Sequence, residues 1–120
     1  MVLGIGVDIV SHERFQHLDD RAGFLAQILT PAELERAPRR NPDSYFAAAL
    51  AAKEAVLKAL GCGLSQGWLW HQVEISDDHT VHLSGRLAEL LREQGGGFCR
   101  ISCANDRGHA VAWAVIETDK

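Results

Sequence analysis

The chain has 120 residues, of which 47% are hydrophobic and 23% are charged, a balance typical of an ordinary folded domain. This composition excludes a wholly disordered chain, a collagen-like repeat and a disulfide-dense miniprotein. The formal net charge of -4 gives no general basic surface for nucleic acid or anionic membranes, so an anionic partner must bind at a local patch.

The first two elements are predicted from an apolar run and from a capping residue. Residues 2–10 are apolar on both sides and predict a buried strand, which Asp8 interrupts. Ser11 is a good N-cap, so a first helix is predicted to begin just after Asp8. Apolar residues follow at helical spacing, namely Phe15, Leu18, Ala22 and Leu25.

The next two helices have strong boundary signals. The sequence Thr-Pro-Ala-Glu at residues 30–33 forms a capping box with proline at N1, and it predicts a short second helix. A long third helix is predicted over residues 45–60, capped by Asp43 or Ser44 and ended by Gly61. Its alanine-rich middle predicts close packing against a strand or another helix.

The remaining segments predict two pairs of strands around a fourth helix. Residues 72–75 and 80–83 read as strands, and a helix is predicted from Ser84 to about Gln94. Residues 98–104 and 109–117 flank a turn-rich tetrapeptide and predict an antiparallel hairpin. The predicted fold class is therefore α+β, with residues 1–120 in a single domain.

The cysteines and the opening segment indicate the compartment. The chain has three cysteines, Cys62, Cys99 and Cys103, and their spacing is not that of paired metal ligands. This odd number and this spacing disfavour a disulfide framework and a zinc site. The opening apolar residues include Asp8 and lack a basic leader, so they are not typical of a signal peptide. We expect a cytoplasmic location.

Three charged positions can carry chemistry, and each also has a structural interpretation. Asp8 is either a helix-capping carboxylate or a metal or catalytic group. Glu54 and Lys58 lie one turn apart on the third helix, as a solvated ion pair or as a catalytic pair. Lys53 lies on the adjacent strip of the same helix. Spacing alone does not separate these alternatives.

Two long motifs and several shorter stretches occur in a fixed order. They are GIGVDIV at residues 4–10, Arg14-Phe15, LTPAE at 29–33, AAKEA at 51–55, KALG at 58–61, VEI at 73–75 and AVA at 110–112. In this combination the chain resembles the holo-acyl carrier protein synthases, the small phosphopantetheinyl transferases. The resemblance extends over nearly the whole chain and implies the 4'-phosphopantetheinyl transferase fold, an antiparallel sheet packed against a long helix.

The resemblance implies transfer of 4'-phosphopantetheine from coenzyme A to a serine of an apo acyl carrier protein, with adenosine 3',5'-bisphosphate as leaving group. It implies Mg²⁺ held by Asp8 and Glu54, since this cation prefers oxygen ligands and substrate phosphates. Glu54 and Lys58 are the implied catalytic residues. The implied coenzyme-binding residues are Asp8, Lys53, Lys58, Gly61 and Asn105, although Lys53 could instead pair structurally.

The resemblance also implies that an acidic carrier protein docks on the first helix. The candidate contacts are Arg14, Leu18, Arg21 and Phe24, which combine charge steering with an apolar anchor. The alternative is a solvated arginine pair beside ordinary core residues. A second basic cluster, Arg36, Arg39 and Arg40, is either a solvated loop or a site for the coenzyme 3'-phosphate.

The sequence departs from the family pattern in its nucleotide-anchoring positions. Ala49 stands where the family usually has arginine, and Ala104-Asn105 stands where it usually has Ser-His. The alternative function is therefore a catalytically weakened relative that binds carrier proteins or acts as a scaffold. Short chains of this family are expected to form homotrimers with active sites between subunits, and three tryptophans, Trp68, Trp70 and Trp113, are candidate packing or interface anchors.

Overall fold

A three-stranded antiparallel sheet packed on one long helix forms the body of the molecule. The computed structural model describes residues 1–62 and 67–118. The strands are β1 (Val2–Ser11), β2 (Val73–Ile75), β3 (Val81–Leu83), β4 (Phe98–Asp106) and β5 (His109–Glu117). The helices are α1 (Arg21–Ile28), α2 (Pro31–Glu35), α3 (Asp43–Leu60) and α4 (Gly85–Glu93), with 3₁₀ segments at His12–Phe15 and Gly67–Gln72. The large sheet has the order β1-β5-β4, and β2 pairs with β3. This arrangement confirms the α+β class and the antiparallel sheet against a long helix.

Glycines on β1 let the sheet approach α3 closely. A Cβ atom built at Gly4 would collide with the carbonyl oxygen of Ala59, and one at Gly6 would collide with that of Ala55. Small residues on both surfaces therefore replace interdigitating side chains at this contact. The close approach explains the alanine-rich helix and fixes β1, with Asp8, beside α3.

The opposite face of the sheet is apolar and exposed. Alternate residues of β1 point away from α3, and Ile5 and Ile9 are 64% and 65% exposed. Trp113 on β5 pairs with Val7 on β1 and is 54% exposed. The sheet therefore buries one face within the chain and presents the other to solvent.

The predicted first helix is wrong in its extent. The chain forms only a 3₁₀ turn at His12–Phe15, capped by Ser11, and α1 begins at Arg21 with Asp20 as its N-cap. The Asp20 carboxylate accepts from the Gly23 backbone N–H, so it starts a second helical segment. The apolar spacing persists because both short segments pack toward the same core, although they are not one helix.

The other boundaries follow the predictions closely. The Thr30 capping box is present, and Gly61 ends α3 in the left-handed region at φ 79°. Neither Asp43 nor Ser44 caps α3, however, because Pro42 occupies the N-cap position without a side-chain hydrogen bond. Residues 63–66, within the loop predicted from Gly61 to Gly67, and the Trp68 side chain lie outside the described parts. Within those parts, no helix has both the length and the apolar character needed to cross a bilayer.

Candidate active site

Asp8, Glu54 and Lys58 meet where β1 crosses α3. The Lys58 Nζ donates to Asp8 Oδ1 at 2.8 Å and to the Val7 carbonyl at 3.2 Å. Glu54 lies one helical turn before Lys58 and contacts Asp8 closely enough to shift its titration. The three charged groups that the sequence singled out therefore form one cluster, although Asp8 and Glu54 are 46 positions apart in the chain.

The two carboxyl groups of this cluster have opposite pKa shifts. Burial, contact with Asp8 and the charge of Asp8 raise the pKa of Glu54 to about 7. Burial opposes ionisation of Asp8 too, but its contacts with Glu54 and Lys58 prevail and keep the Asp8 pKa below its ordinary value. Near neutral pH Asp8 is therefore ionised, while Glu54 is near the midpoint of its titration.

The cluster has the chemistry of an oxygen-ligated cation site. Asp8 Oδ2 is buried and accepts no hydrogen bond from a donor in the described chain. A cation between the two carboxylates would satisfy that oxygen and relieve their repulsion. In the described chain no group of three or more histidine, cysteine, aspartate or glutamate side chains could hold a metal ion. The two carboxylates are the donors that a hard cation uses when it takes its remaining ligands from substrate and water.

Arg14 also belongs to this cluster, which the sequence did not indicate. Its guanidinium lies 3.9 Å from Glu54 Oε1 and sits over the Phe24 ring, 5.8 Å from the centroid. The side chain is about half exposed. Arg14 therefore links the acidic centre to the surface formed by α1. The one signal in the sequence that could have indicated this role is its position next to Phe15 in the Arg14-Phe15 motif.

Lys53 is not a coenzyme ligand in this structure, which corrects the first of its two interpretations. It is fully buried and pairs with Glu33 at 2.7 Å. Its Nζ also donates to three carbonyl oxygens, those of Ile28, Trp70 and Val73. These acceptors engage all the ammonium protons, so none is free for a phosphate.

Asn105 lies away from the acidic centre, on the wall of a cavity of about 560 Å³. Its Oδ1 is 2.9 Å from His12 Nε2, and the His12 backbone N–H donates to Gly108. The cavity lies between the first half of α3, the end of β2 and the edge strand β4. Its wall includes Ala49 and Ala104, so the three positions that depart from the family pattern share one cavity.

The cavity and the acidic centre lie on opposite flanks of α3. Ala48, Ala49 and Ala52 face the cavity. Glu54 is two residues beyond Ala52, which places it about 200° around the helix. The described lining of the cavity includes neither Glu54 nor Asp8. The cavity and the acidic centre are therefore separate within one chain, and the structure does not bring Asn105 to the acidic centre.

The predicted docking surface is only partly assembled. Arg14 and Arg21 do not share two turns of one helix, because the 3₁₀ turn ends before α1 begins. Arg21 instead donates to Asp43 at 2.6 Å and to the Phe15 carbonyl, with its guanidinium over the Phe46 ring. Arg21 therefore binds the start of α1 to the start of α3 and is already paired with a carboxylate. This corrects its assignment as a residue that attracts the carrier protein.

Leu18, Phe24 and Gly61 keep their assignments as predictions. Leu18 and Phe24 are partly buried against the core, and the Phe24 ring lies under the Arg14 guanidinium. Gly61 is exposed and its backbone N–H donates to the carbonyls of Leu57 and Lys58, as the helix terminus requires. The positive φ accounts for glycine at this position without a ligand.

Known proteins resemble this chain over nearly its full length. The sequence matches the 4'-phosphopantetheinyl transferase superfamily over residues 4–114. It is 41% identical over 124 residues to the holo-[acyl-carrier-protein] synthase of Trichlorobacter lovleyi, with 98% of each chain covered. The fold is similar to that of the holo-[acyl-carrier-protein] synthase of Neisseria meningitidis, with a TM-score of 0.83, 31% identity, and 98% and 100% of the two chains covered. The Helicobacter pylori synthase in complex with coenzyme A gives a TM-score of 0.75 and 28% identity, with 94% of this chain and 99% of that one covered.

Proposed function

The chain belongs to the 4'-phosphopantetheinyl transferase superfamily, and from this premise we propose that it is a holo-acyl carrier protein synthase. It transfers 4'-phosphopantetheine from coenzyme A to a serine hydroxyl of an apo acyl carrier protein and releases adenosine 3',5'-bisphosphate. The observation that carries the proposal is the convergence of Asp8, Glu54 and Lys58 in one cluster. These groups match what a diphosphate-cleaving transfer requires: an oxygen-ligated cation, a proton acceptor and a cationic charge near the leaving group.

Mg²⁺ is the cation that the cluster fits. Asp8 and Glu54 would hold it, because a hard cation combines one or two carboxylates with substrate phosphate oxygens and water. The unpartnered Asp8 Oδ2 and the raised pKa of Glu54 both indicate missing positive charge at this point. When bound, the ion supplies stabilisation of the negative charge that develops on the diphosphate.

Glu54 and Lys58 take part in the transfer of the phosphopantetheine group to the carrier serine. The carrier serine Oγ forms a bond to the phosphorus that bears the pantetheine arm, and the bond from that phosphorus to the bridging diphosphate oxygen breaks. Glu54, directly or through a water molecule, accepts the serine proton. Lys58 is about half exposed and placed to neutralise or protonate the departing phosphate.

We also propose that the active enzyme is a homotrimer with each active site between two subunits. The cavity with Asn105 and the acidic centre lie on opposite flanks of α3, so one chain does not hold a ligand at both. A neighbouring copy can supply the second half-site. The exposed apolar face of the sheet, centred on Val7 and Trp113, gives these copies a surface to bury.

The proposal also covers the cellular compartment and the carrier protein that is modified. We place the enzyme in the cytoplasm, as the cysteine content predicts. The acceptor is an acyl carrier protein of fatty-acid biosynthesis or of a related assembly line. It docks beside Arg14, Leu18 and Phe24, next to the acidic centre that modifies it.

An intact-mass assay tests the proposed function. Purified protein is incubated with coenzyme A and a panel of apo carrier proteins, with Mg²⁺ or with EDTA. We expect a mass increase of one phosphopantetheine on at least one carrier, only with Mg²⁺. Asp8→Asn and Glu54→Gln should each lower the rate by at least about 100-fold, because each removes charge from the reacting centre.

The matched control for these variants is Glu89→Gln, on the exposed surface of α4. It removes one carboxylate charge far from the cluster and should keep the wild-type rate. Carrier binding without transfer by the wild-type protein, across the whole panel, would favour the alternative of a binding module and contradict the proposal.

A further inference from the structure

A second cavity, of about 460 Å³, lies between β3, α4 and the start of β4. The described residues that line it are all different from those that line the cavity with Asn105. Val7 and Trp113, on which the exposed apolar face of the sheet is centred, do not line it either. The proposed transfer and the proposed assembly therefore leave this second cavity without a role.

The second cavity is open between two strand edges of different sheets. Among the described strands, β3 pairs only with β2, and β4 pairs only with β5. The connection from α4 to β4 closes one side of the cavity through Gly96 and Gly97. A Cβ atom built at Gly96 would collide with the Leu91 side chain. Glycine at this position therefore lets Leu91 keep its place in the cavity wall.

Most of the wall of the second cavity is apolar. The described lining includes Val81, Leu83, Ala88, Leu91 and Phe98. Phe98 is 37% exposed, so part of its ring is in contact with water. A ligand with an apolar body would remove these side chains from water, which is the main favourable contribution to binding in such cavities.

The polar part of the wall is cationic. Arg92, in the last turn of α4, and His82 on β3 line the cavity, and no aspartate or glutamate is among its described lining residues. Within the described parts of the chain, neither of these two side chains forms a hydrogen bond or an ion pair. The carboxylates nearest to Arg92 along α4, Glu89 and Glu93, pair with Arg86. The wall therefore favours an anionic group on the ligand.

The donors around the second cavity suit a carboxylate better than a phosphate. The backbone N–H groups of Gly96 and Gly97 already donate to the carbonyl oxygens of Leu91 and Glu117. This glycine-containing connection therefore offers no cradle of free N–H groups of the kind that binds phosphate. The planar fork of one guanidinium, in contrast, matches the two oxygens of one carboxylate.

We propose that the second cavity binds a carboxylate that carries an aliphatic chain. The head group pairs with Arg92, and the chain lies against Leu83, Leu91 and Phe98. The volume is within the range of sites for small molecules. The inference does not rest on the proposed function, because no residue assigned to the transfer lines this cavity.

Calorimetric titration of the full-length protein with octanoate tests the proposal, together with heteronuclear NMR spectra that locate the binding. We expect saturable binding at millimolar concentration or below, with amide shifts centred on Leu83, Ala88 and Gly97. Octanol, which has the same chain without the charge, should bind at least about 10-fold more weakly, the value of a charge-assisted hydrogen bond. Acetate, which has the charge without the chain, should give no measurable binding.

The variant Arg92→Gln tests the head group. It should weaken octanoate binding at least about 10-fold and leave octanol binding within about twofold, since octanol lacks the group that Arg92 binds. The matched control is Arg39→Gln, which removes an exposed arginine that does not line the cavity and should keep the wild-type affinity. Ala88→Phe places a ring in the cavity and should abolish binding of both compounds, with the dispersion of the NMR spectrum retained.

Four results would overturn the inference. The first is that octanoate does not bind, or shifts only the amides around Trp113. The second is that Arg92→Gln weakens octanoate and octanol equally, since Arg92 would then only support the wall. The third is that Arg39→Gln weakens octanoate as much as Arg92→Gln does, which would assign the effect to general charge. The fourth is that octyl phosphate binds more tightly than octanoate, which would contradict the choice of a carboxylate.

Discussion

Glu54 lies where its protein environment opposes the negative charge that the proposed function requires. It is 9% exposed and lies against Asp8, and its cationic neighbours among the described residues are Arg14, 3.9 Å away, and Lys58. Burial and the like charge of Asp8 both favour the protonated form. Strain of this kind persists at sites where a ligand relieves it, which is the role we assign to the cation.

The stability of the protein should therefore depend on Glu54 and on pH. The pKa of Glu54 rises from 4.5 in the unfolded chain to about 7 in the folded one. Between these values the folded chain binds the proton more tightly, so the free energy of unfolding falls as pH rises. Glu54→Gln removes this penalty. In EDTA, its stability advantage over wild type should grow from pH 5 to pH 8, to on the order of 2 kcal/mol.

Thermal or urea unfolding at both pH values checks this prediction. The Glu89→Gln variant serves as the control, since its carboxylate is exposed on α4. A stability difference between Glu54→Gln and wild type that is the same at pH 5 and pH 8 would contradict it.

The elements of the fold are joined through one buried ion pair as well as through the apolar core. Lys53 on α3 forms an ion pair with the Glu33 carboxylate of α2. Its ammonium group also donates to carbonyl oxygens at the end of α1 and on β2. Glu33 is at the same time the acceptor that completes the capping box of α2. The pair thus fixes α2 and β2, the walls of the cavity, against the helix that carries Glu54.

Removing one partner of this pair should destabilise the protein strongly. Lys53→Met leaves the Glu33 charge buried without its counter-charge, and we expect a loss of about 3–5 kcal/mol in the free energy of unfolding. The double variant Lys53→Met/Glu33→Gln should recover part of that loss. Urea denaturation measures both, and a loss below about 1 kcal/mol in the single variant would show that the pair is not a structural anchor.

The contact between β1 and α3 gives a second prediction at this scale. Gly6→Ala should lower both stability and transfer, because its Cβ would push β1 away from the Ala55 carbonyl and move Asp8 relative to Glu54. We expect a cost of about 1–3 kcal/mol. Unfolding and intact-mass assays measure the two effects, with Ser102→Ala on the exposed side of β4 as the control. Wild-type transfer by Gly6→Ala would contradict the prediction.

Local signals in the sequence predict local structure well and distant relations poorly. The Thr30 capping box and the left-handed Gly61 were predictable because each depends on neighbours within a turn. The break before Arg21 was not, since the apolar spacing continues across it. Resemblance singled out Asp8, Glu54 and Lys58, whereas spacing alone left open the choice between a surface pair and a site. The burial of Lys53 depends on carbonyls from three separate segments, which no local pattern reveals.

At the scale of the whole molecule, the two faces of the large sheet differ in their exposure to solvent. One face is covered by α3, and the other exposes a band of aliphatic side chains around Trp113. Monomeric proteins rarely leave such a contiguous apolar band open to water. The exposed band and the separated half-sites both favour an assembly in which copies of the chain cover one another.

Disruption of this face should dissociate the enzyme and abolish transfer together. Trp113→Glu places a charge in the middle of the band, where burial in a subunit interface would be costly. We expect monomers in multi-angle light scattering and loss of transfer at the same concentration, with the helical circular dichroism retained. Arg92→Glu on α4 is the control and should stay assembled. A monomeric Trp113→Glu with full activity would contradict the proposed arrangement of sites.

On the proposal that each active site joins the acidic centre of one copy to the cavity of the next, defective subunits should rescue each other. A Glu54→Gln chain keeps an intact cavity, and a chain whose cavity is filled by Ala49→Trp keeps an intact acidic centre. When the two preparations are dissociated, mixed and reassembled, some subunit interfaces should combine the intact acidic centre of one variant with the intact cavity of the other. Such hybrids would regain activity that neither parent has alone, which makes catalysis a property of the junction and not of the polypeptide.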